Sequence, residues 1–158
     1  MEQKEMIDLL RQVASGTMDV EQAALKLKEE PFEDLGFAKI DHHRAMRQGV
    51  AEVIFGEGKT PEQIFRIAEA MKEKGQKAVL ITRMNKESAI YVGEHLELQY
   101  DEVSRIGFIG EAPIKDGDGK IVVATGGTSD IPVAEEAART AETLGNEVIR
   151  LYDVGVAG

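Results

Sequence analysis

The segment IVVATGGTSDIPVAEEAARTAETLG, residues 121–145, constrains the fold more than any other. An apolar run halts at two glycines, passes Thr128, Ser129 and Asp130, and becomes a helix whose Ala134, Ala137, Ala138 and Ala141 allow close packing on a sheet. A second apolar run follows, so the spacing predicts strand 120–125, helix 131–144 and strand 147–152, one βαβ unit. Such units build parallel sheets with right-handed crossovers. Two strands and one helix cannot cover both faces of a parallel sheet. Residues 120–158 are therefore expected to open a larger α/β domain whose remainder is absent.

Glycines after a strand let a ligand approach the backbone. The first four N–H groups of the following helix have no internal partner and lie at the positive end of its dipole. A phosphate fits there. The hydroxyls of Thr128 and Ser129 add donors, and Asp130 can take ribose hydroxyls. The same residues also read as an ordinary capped helix start, with Ser129 or Asp130 as the cap. The dinucleotide fingerprint G-x-G-x-x-G is not present.

Upstream, helical spacing of Met6, Ile7, Leu9, Leu10 and Val13 predicts a first helix ending near Gly16. Asp19 is the expected cap of a second, with Val20, Ala23, Ala24 and Leu27 on one face. Residues 29–34 are expected as a connector, 35–41 and 51–55 as strands. Thr60, Pro61 and Gln63 form a capping-box start, Ile64, Ile67, Ala68 and Met71 an apolar stripe, and Gly75 a stop. Strand 77–83, a short helix from Asn85, and one or two strands within 96–110 follow. Pro, Gly and Asp cluster in EAPIKDGDGK, residues 111–120. The expected organisation is an N-terminal α/β domain over 1–112 with two leading helices, a linker over 113–119, and the βαβ unit over 120–158.

With 158 residues and a net charge of −10, the chain is a poor candidate for nucleic-acid binding, which draws its affinity from Lys and Arg. There is no cysteine, hence no disulfide, thiolate metal site or Cys nucleophile within it. No apolar run approaches the ~18 residues of a membrane span, and Glu2, Lys4 and Glu5 interrupt any signal peptide. A cytoplasmic protein is expected.

DHHRAMRQGVAEV sets Arg44 and Arg47 three residues apart beside Asp41 and Glu52, with Lys59 further on. Guanidinium forks match carboxylate and phosphate. An ion-pair network among Asp41, Arg44, Arg47 and Glu52 is the plainer reading, and both stay open. His42 and His43 are adjacent, so they do not share a face, and His95 is far away in sequence. No metal site is expected. GEGKT lacks the first P-loop glycine, where Val53 stands, and DGDGK puts Lys120 at a calcium-ligand position.

The stretches EDLGFAKIDHHRAMRQGVAEVIFGEGKTPEQI and ATGGTSDIPVAEEAARTAETLGNEVIRLYDVGVAG together resemble the LarB-like family of nickel-pincer cofactor biosynthesis, whose second domain is related to the aminoimidazole ribonucleotide carboxylases. The resemblance implies an α/β fold in which a small N-terminal α/β domain precedes the first βαβ unit of a three-layer parallel-sheet domain. It implies an enzyme that carboxylates the pyridinium ring of nicotinic acid adenine dinucleotide with CO2 or bicarbonate and hydrolyses the phosphoanhydride. The products are pyridinium-3,5-biscarboxylic acid mononucleotide and AMP. By the motif of the related carboxylases, Gly127, Thr128, Ser129 and Asp130 hold phosphate and ribose; Gly126 stands where alanine is expected. Asp41, Arg44, Arg47 and Lys59 are further substrate-binding candidates. No cofactor is expected in this chain, with Mg2+ left open. The family's catalytic cysteine and carboxylate are expected beyond residue 158, so the chain reads as an N-terminal fragment that does not turn over, homo-oligomeric when full length. The alternative is a non-catalytic nucleotide-binding or assembly module.

Overall fold

A computed structural model describes residues 3–27, 32–41, 52–111 and 114–155. The chain falls into two compact units, Met1–Glu52 and Val53–Gly158. The protein is mixed α/β.

The first unit opens with helices α1 (Gln3–Ala14) and α2 (Val20–Leu27). Gly16 ends the first turn segment at φ 74°, and the Asp19 carboxylate accepts from the Gln22 amide at 2.6 Å, as its capping role requires. Of the predicted apolar stripes, Leu9 and Ala23 are buried, whereas Ile7, Leu10 and Val20 remain exposed. The strand expected over 35–41 is instead half of a hairpin. Strands β1 (Phe32–Asp34) and β2 (Lys39–Asp41) pair antiparallel, with Asp34 opposite Lys39. The reversal is a side-chain-held turn. Asp34 Oδ1 accepts from the Gly36 amide at 2.8 Å, Gly36 takes φ 82°, and the Leu35 amide reaches Ala38 O at 2.9 Å.

The second unit is built on a four-stranded sheet. Its strands are β3 (Val53–Phe55), β4 (Ala78–Thr82), β5 (Leu98–Asp101) and β6 (Ile106–Gly110), in the order β3-β4-β6-β5. The first pair is parallel and the other two antiparallel. The parallel crossover is α3 (Pro61–Glu73), started by the predicted capping box: Gln63 N donates to Thr60 Oγ1 at 3.2 Å and Thr60 N to Gln63 Oε1 at 3.0 Å. Helix α4 (Lys86–Gly93), capped by Asn85, packs beside it. Pairing register puts Ile54, Val79, Ile81 and Ile109 on one face of the sheet, and all four are essentially fully buried, like Ile64, Ala68 and Met71 of α3.

The βαβ unit forms as the spacing predicts: β7 (Lys120–Ala124), α5 (Ile131–Thr143) and β8 (Glu147–Leu151), with the strands parallel and Val122 opposite Ile149. Helix α5 packs on β7 and β8 and also touches β4 and β6. Arg139 also pairs with Asp101, the last residue of β5, at 3.2 Å. The stretch 114–119 thus lies inside the second unit. The other face of the two-stranded sheet is bare: Val122, Ile149 and Leu151 are 55%, 39% and 47% exposed. Parallel sheets bury both faces, so this one is unfinished within the described residues. No helix among those residues is long and apolar enough to cross a membrane.

Candidate functional site

The glycine turn leaves the carboxyl end of β7 and lies open. Gly126, Thr128, Ser129 and Asp130 are exposed and Gly127 half-buried. Residues 128–130 form a single 3-10 turn that leads into α5. Neither Gly126 nor Gly127 has positive φ. A Cβ on either would meet nothing nearer than Asp130 Oδ2, at 3.9 and 3.8 Å respectively. Backbone conformation and packing therefore do not demand glycine at these two positions. What glycine leaves there is clear space over the turn.

Asp130 does not act as the expected forward cap. Its Oδ2 reaches back to accept from the Gly127 amide at 3.1 Å, and no side-chain cap bond serves α5. Gly127 gives its N–H to Asp130, Asp130 to Gly127 O and Ile131 to Thr128 O, and Pro132 has none. The amides of Thr128 and Ser129 are the donors left, at the positive end of a 13-residue helix whose first turn holds no acidic residue. Among the described residues, the hydroxyls of Thr128 and Ser129 have no hydrogen-bond partner.

A second loop is zipped to this one. Thr125, 5% exposed, accepts from the Asp153 amide through Oγ1 at 2.9 Å and from the Val154 amide through its carbonyl at 3.1 Å. The Gly155 amide donates to Gly126 O at 3.0 Å. A Cβ on Gly155 would stand 2.7 Å from Gly126 Cα, so only glycine allows this approach. Asp153, at φ 59°, makes the bend. Thr125 and Gly155 were missed as site residues. A buried threonine ending a strand is a weak signal, and its partner lies 28 positions on.

Beneath the turn, α5 is fixed to β8 by Arg150. Its guanidinium bonds both Glu135 oxygens, at 2.8 and 3.2 Å, and both Glu142 oxygens, at 2.6 and 3.0 Å. Tyr152 Oη adds a bond to Glu135 at 2.8 Å. Partial burial opposes ionisation of Glu135, but the Arg150 and Tyr152 hydrogen bonds prevail and hold its carboxyl below the usual range. The Arg150 bond lowers Glu142 likewise.

Arg44 and Arg47 lie outside the described residues. Asp41 ends strand β2 of the first unit. Lys59 Nζ donates to Phe55 O at 2.8 Å, closing its own loop. Two other arginines do approach α5. Arg83 and Arg105, both at positive φ (50° and 57°), end β4 and the β5–β6 turn. They line a depression of about 250 Å3 together with Glu57 and Ser104 and the opening of α5 at Pro132 and Val133. Arg83 pairs with Glu57 at 2.9 Å and Glu136 at 3.4 Å and lies 5.4 Å from the Phe55 ring centroid. Arg105 donates to Arg83 O at 3.1 Å and Met84 O at 3.4 Å.

Among the described residues, no three His, Asp or Glu side chains converge on one point. The only carboxylate of the 126–130 turn, Asp130, is engaged by Gly127.

Residues 32–111 match the family described as the LarB/PurE-like N-terminal domain. The chain belongs to this family. The matched stretch takes in the hairpin, the four-stranded sheet and both pocket arginines; the glycine turn lies beyond it. Over 98% of its length the chain is also similar, at 31% identity, to an uncharacterized protein of Methanocaldococcus jannaschii, and it spans 63% of that relative.

Proposed function

We propose that this chain is part of a cytoplasmic LarB-like enzyme of nickel-pincer cofactor synthesis. The enzyme carboxylates the pyridinium ring of nicotinic acid adenine dinucleotide and hydrolyses its phosphoanhydride, giving pyridinium-3,5-biscarboxylic acid mononucleotide and AMP. A carbon–carbon bond to CO2 forms as a ring proton leaves; water adds across the P–O–P link. The family match supports the reading, and one observation carries it to a site: an open turn where Thr128 and Ser129 have free amides and unpartnered hydroxyls, beside glycines that neither φ nor packing requires.

In this reading the amides and hydroxyls of Thr128 and Ser129 hold a phosphate at the start of α5, Gly127 leaves room for it, and the outer Asp130 oxygen accepts from ribose. Arg44, Arg47 and Lys59 remain candidates for the substrate's other anionic groups, and Asp41 for one of its hydrogen-bond donors. The nucleophilic thiol must come from outside these residues, since the chain has no cysteine. The bare face of the β7–β8 sheet supports assembly with further protein, as a homo-oligomer of the whole enzyme. The partners are small molecules, not nucleic acid or membrane.

The test is calorimetric titration of the chain with the dinucleotide. A hydrogen bond to a charged group contributes about 1.5–3 kcal/mol, so Ser129→Ala and Asp130→Ala should each weaken binding roughly ten-fold or more. Gly126→Ala should fold normally, given its empty surroundings, yet also bind more weakly. Equal affinity in all three variants, or no binding by the unsubstituted chain, removes the turn from the site.

A further inference from the structure

We infer that the depression beside the start of α5 is a nucleobase subsite, built for a neutral, amino-bearing heterocycle of the adenine type. The inference rests on the phosphate reading of the glycine turn and adds the other half of a nucleotide to it.

Charge balance argues for a base over a second anion. Two guanidiniums, Arg83 and Arg105, face two carboxylates, Glu57 and Glu136. A phosphate entering here would meet the carboxylates and gain little. A neutral ring has no such conflict: the carboxylates accept from an exocyclic amine, and a planar guanidinium stacks on an aromatic face. Arg83 already stands near one such ring, that of Phe55. The rim is apolar, with Val103 53% and Val133 71% exposed, and Pro132 between the rim and the turn. Side chains of this kind pack on a ring and gain nothing from water.

Size and position agree. At about 250 Å3 the depression is below the roughly 300–1,000 Å3 of pockets that enclose a whole ligand, so it suits one part of one. It begins at Pro132, two residues after Asp130. Ser129 and Val133 are about one helical turn apart, roughly 6 Å along the axis. That is the scale separating phosphate from base in a nucleoside monophosphate. Arg105 fixes the wall by hydrogen-bonding the Arg83 and Met84 carbonyls, and the Met84 amide returns a bond to Arg105 O at 2.8 Å. Two arginines in left-handed backbone would be costly unless held in place this way.

The experiment titrates the chain with adenosine, AMP and ribose 5-phosphate, followed by calorimetry and amide NMR shifts. Arg105→Gly removes the guanidinium while suiting φ 57°, and Val103→Asp changes an exposed rim residue. The expected result is adenosine binding with shifts at Val103, Arg105 and Val133, at least ten-fold weaker in both variants, with ribose 5-phosphate unaffected by either. Adenosine that does not bind, that binds both folded variants as it binds the parent, or that shifts other amides instead overturns the subsite. Ribose 5-phosphate binding without adenosine binding leaves the turn standing and the subsite refuted. Adenosine binding with those shifts, but without ribose 5-phosphate binding, supports the subsite and refutes the turn.

Discussion

Replacing Arg150 with methionine tests how the βαβ unit is held together. The substitution keeps the length of the side chain and removes a guanidinium that bonds four carboxylate oxygens. Breaking a fully buried pair costs about 3–5 kcal/mol, and an exposed one about 0–1. Arg150, Glu135 and Glu142 are 27%, 14% and 26% exposed, between those limits. Arg139 also stays within 3.7 Å of both carboxylates and shares the load. A loss of about 2 kcal/mol follows, a fall in Tm of roughly 4–8 °C for a chain of this size. It should depend on pH. Both carboxyls are held below their ordinary values in the folded protein. Their contribution is therefore complete above the unfolded value of about 4.3 and disappears as pH falls through the folded values. Thermal melts of parent and variant should differ clearly at pH 7 and converge as pH falls through the depressed values of the two carboxyls. A Tm unchanged within 1 °C at pH 7, or a deficit that persists undiminished in acid, would refute this account of α5 docking.

Two further substitutions have definite expected outcomes. Gly155→Ala should cost about 1–3 kcal/mol, because its Cβ is forced to 2.7 Å from Gly126 Cα; calorimetric melting checks this, and an unchanged Tm means the two loops are not zipped. Thr60→Ala should cost about 1 kcal/mol by removing one half of the α3 capping box, read in urea unfolding as a shift in midpoint without a change in slope.

Where local chemistry fixes local structure, the sequence was a good guide. Thr60 with Gln63, Asp19 before Val20, and the glycine turn between two apolar runs each name their own element. The hairpin at 32–41 was misjudged because the apolar content of 35–40 outweighed a turn signal that was present, Asp34 two residues before Gly36. Strand order was hidden altogether: nothing in the periodicity of 98–110 says that β6 inserts beside β4 and leaves β5 at the edge. The pocket arginines were hidden for a related reason. Arg83 meets Glu57 and Glu136 from 26 positions before and 53 after, and positive φ at an arginine leaves no mark in the sequence.

The clasp between Thr125–Gly126 and Asp153–Gly155 makes the two loops a single mechanical piece. Tension on the backbone at Gly155 is delivered straight to the carbonyl of Gly126, next to the amides of the proposed phosphate site. A displacement arriving from that direction would tilt the donors together, so affinity at the turn could be set from a distance without any residue there changing.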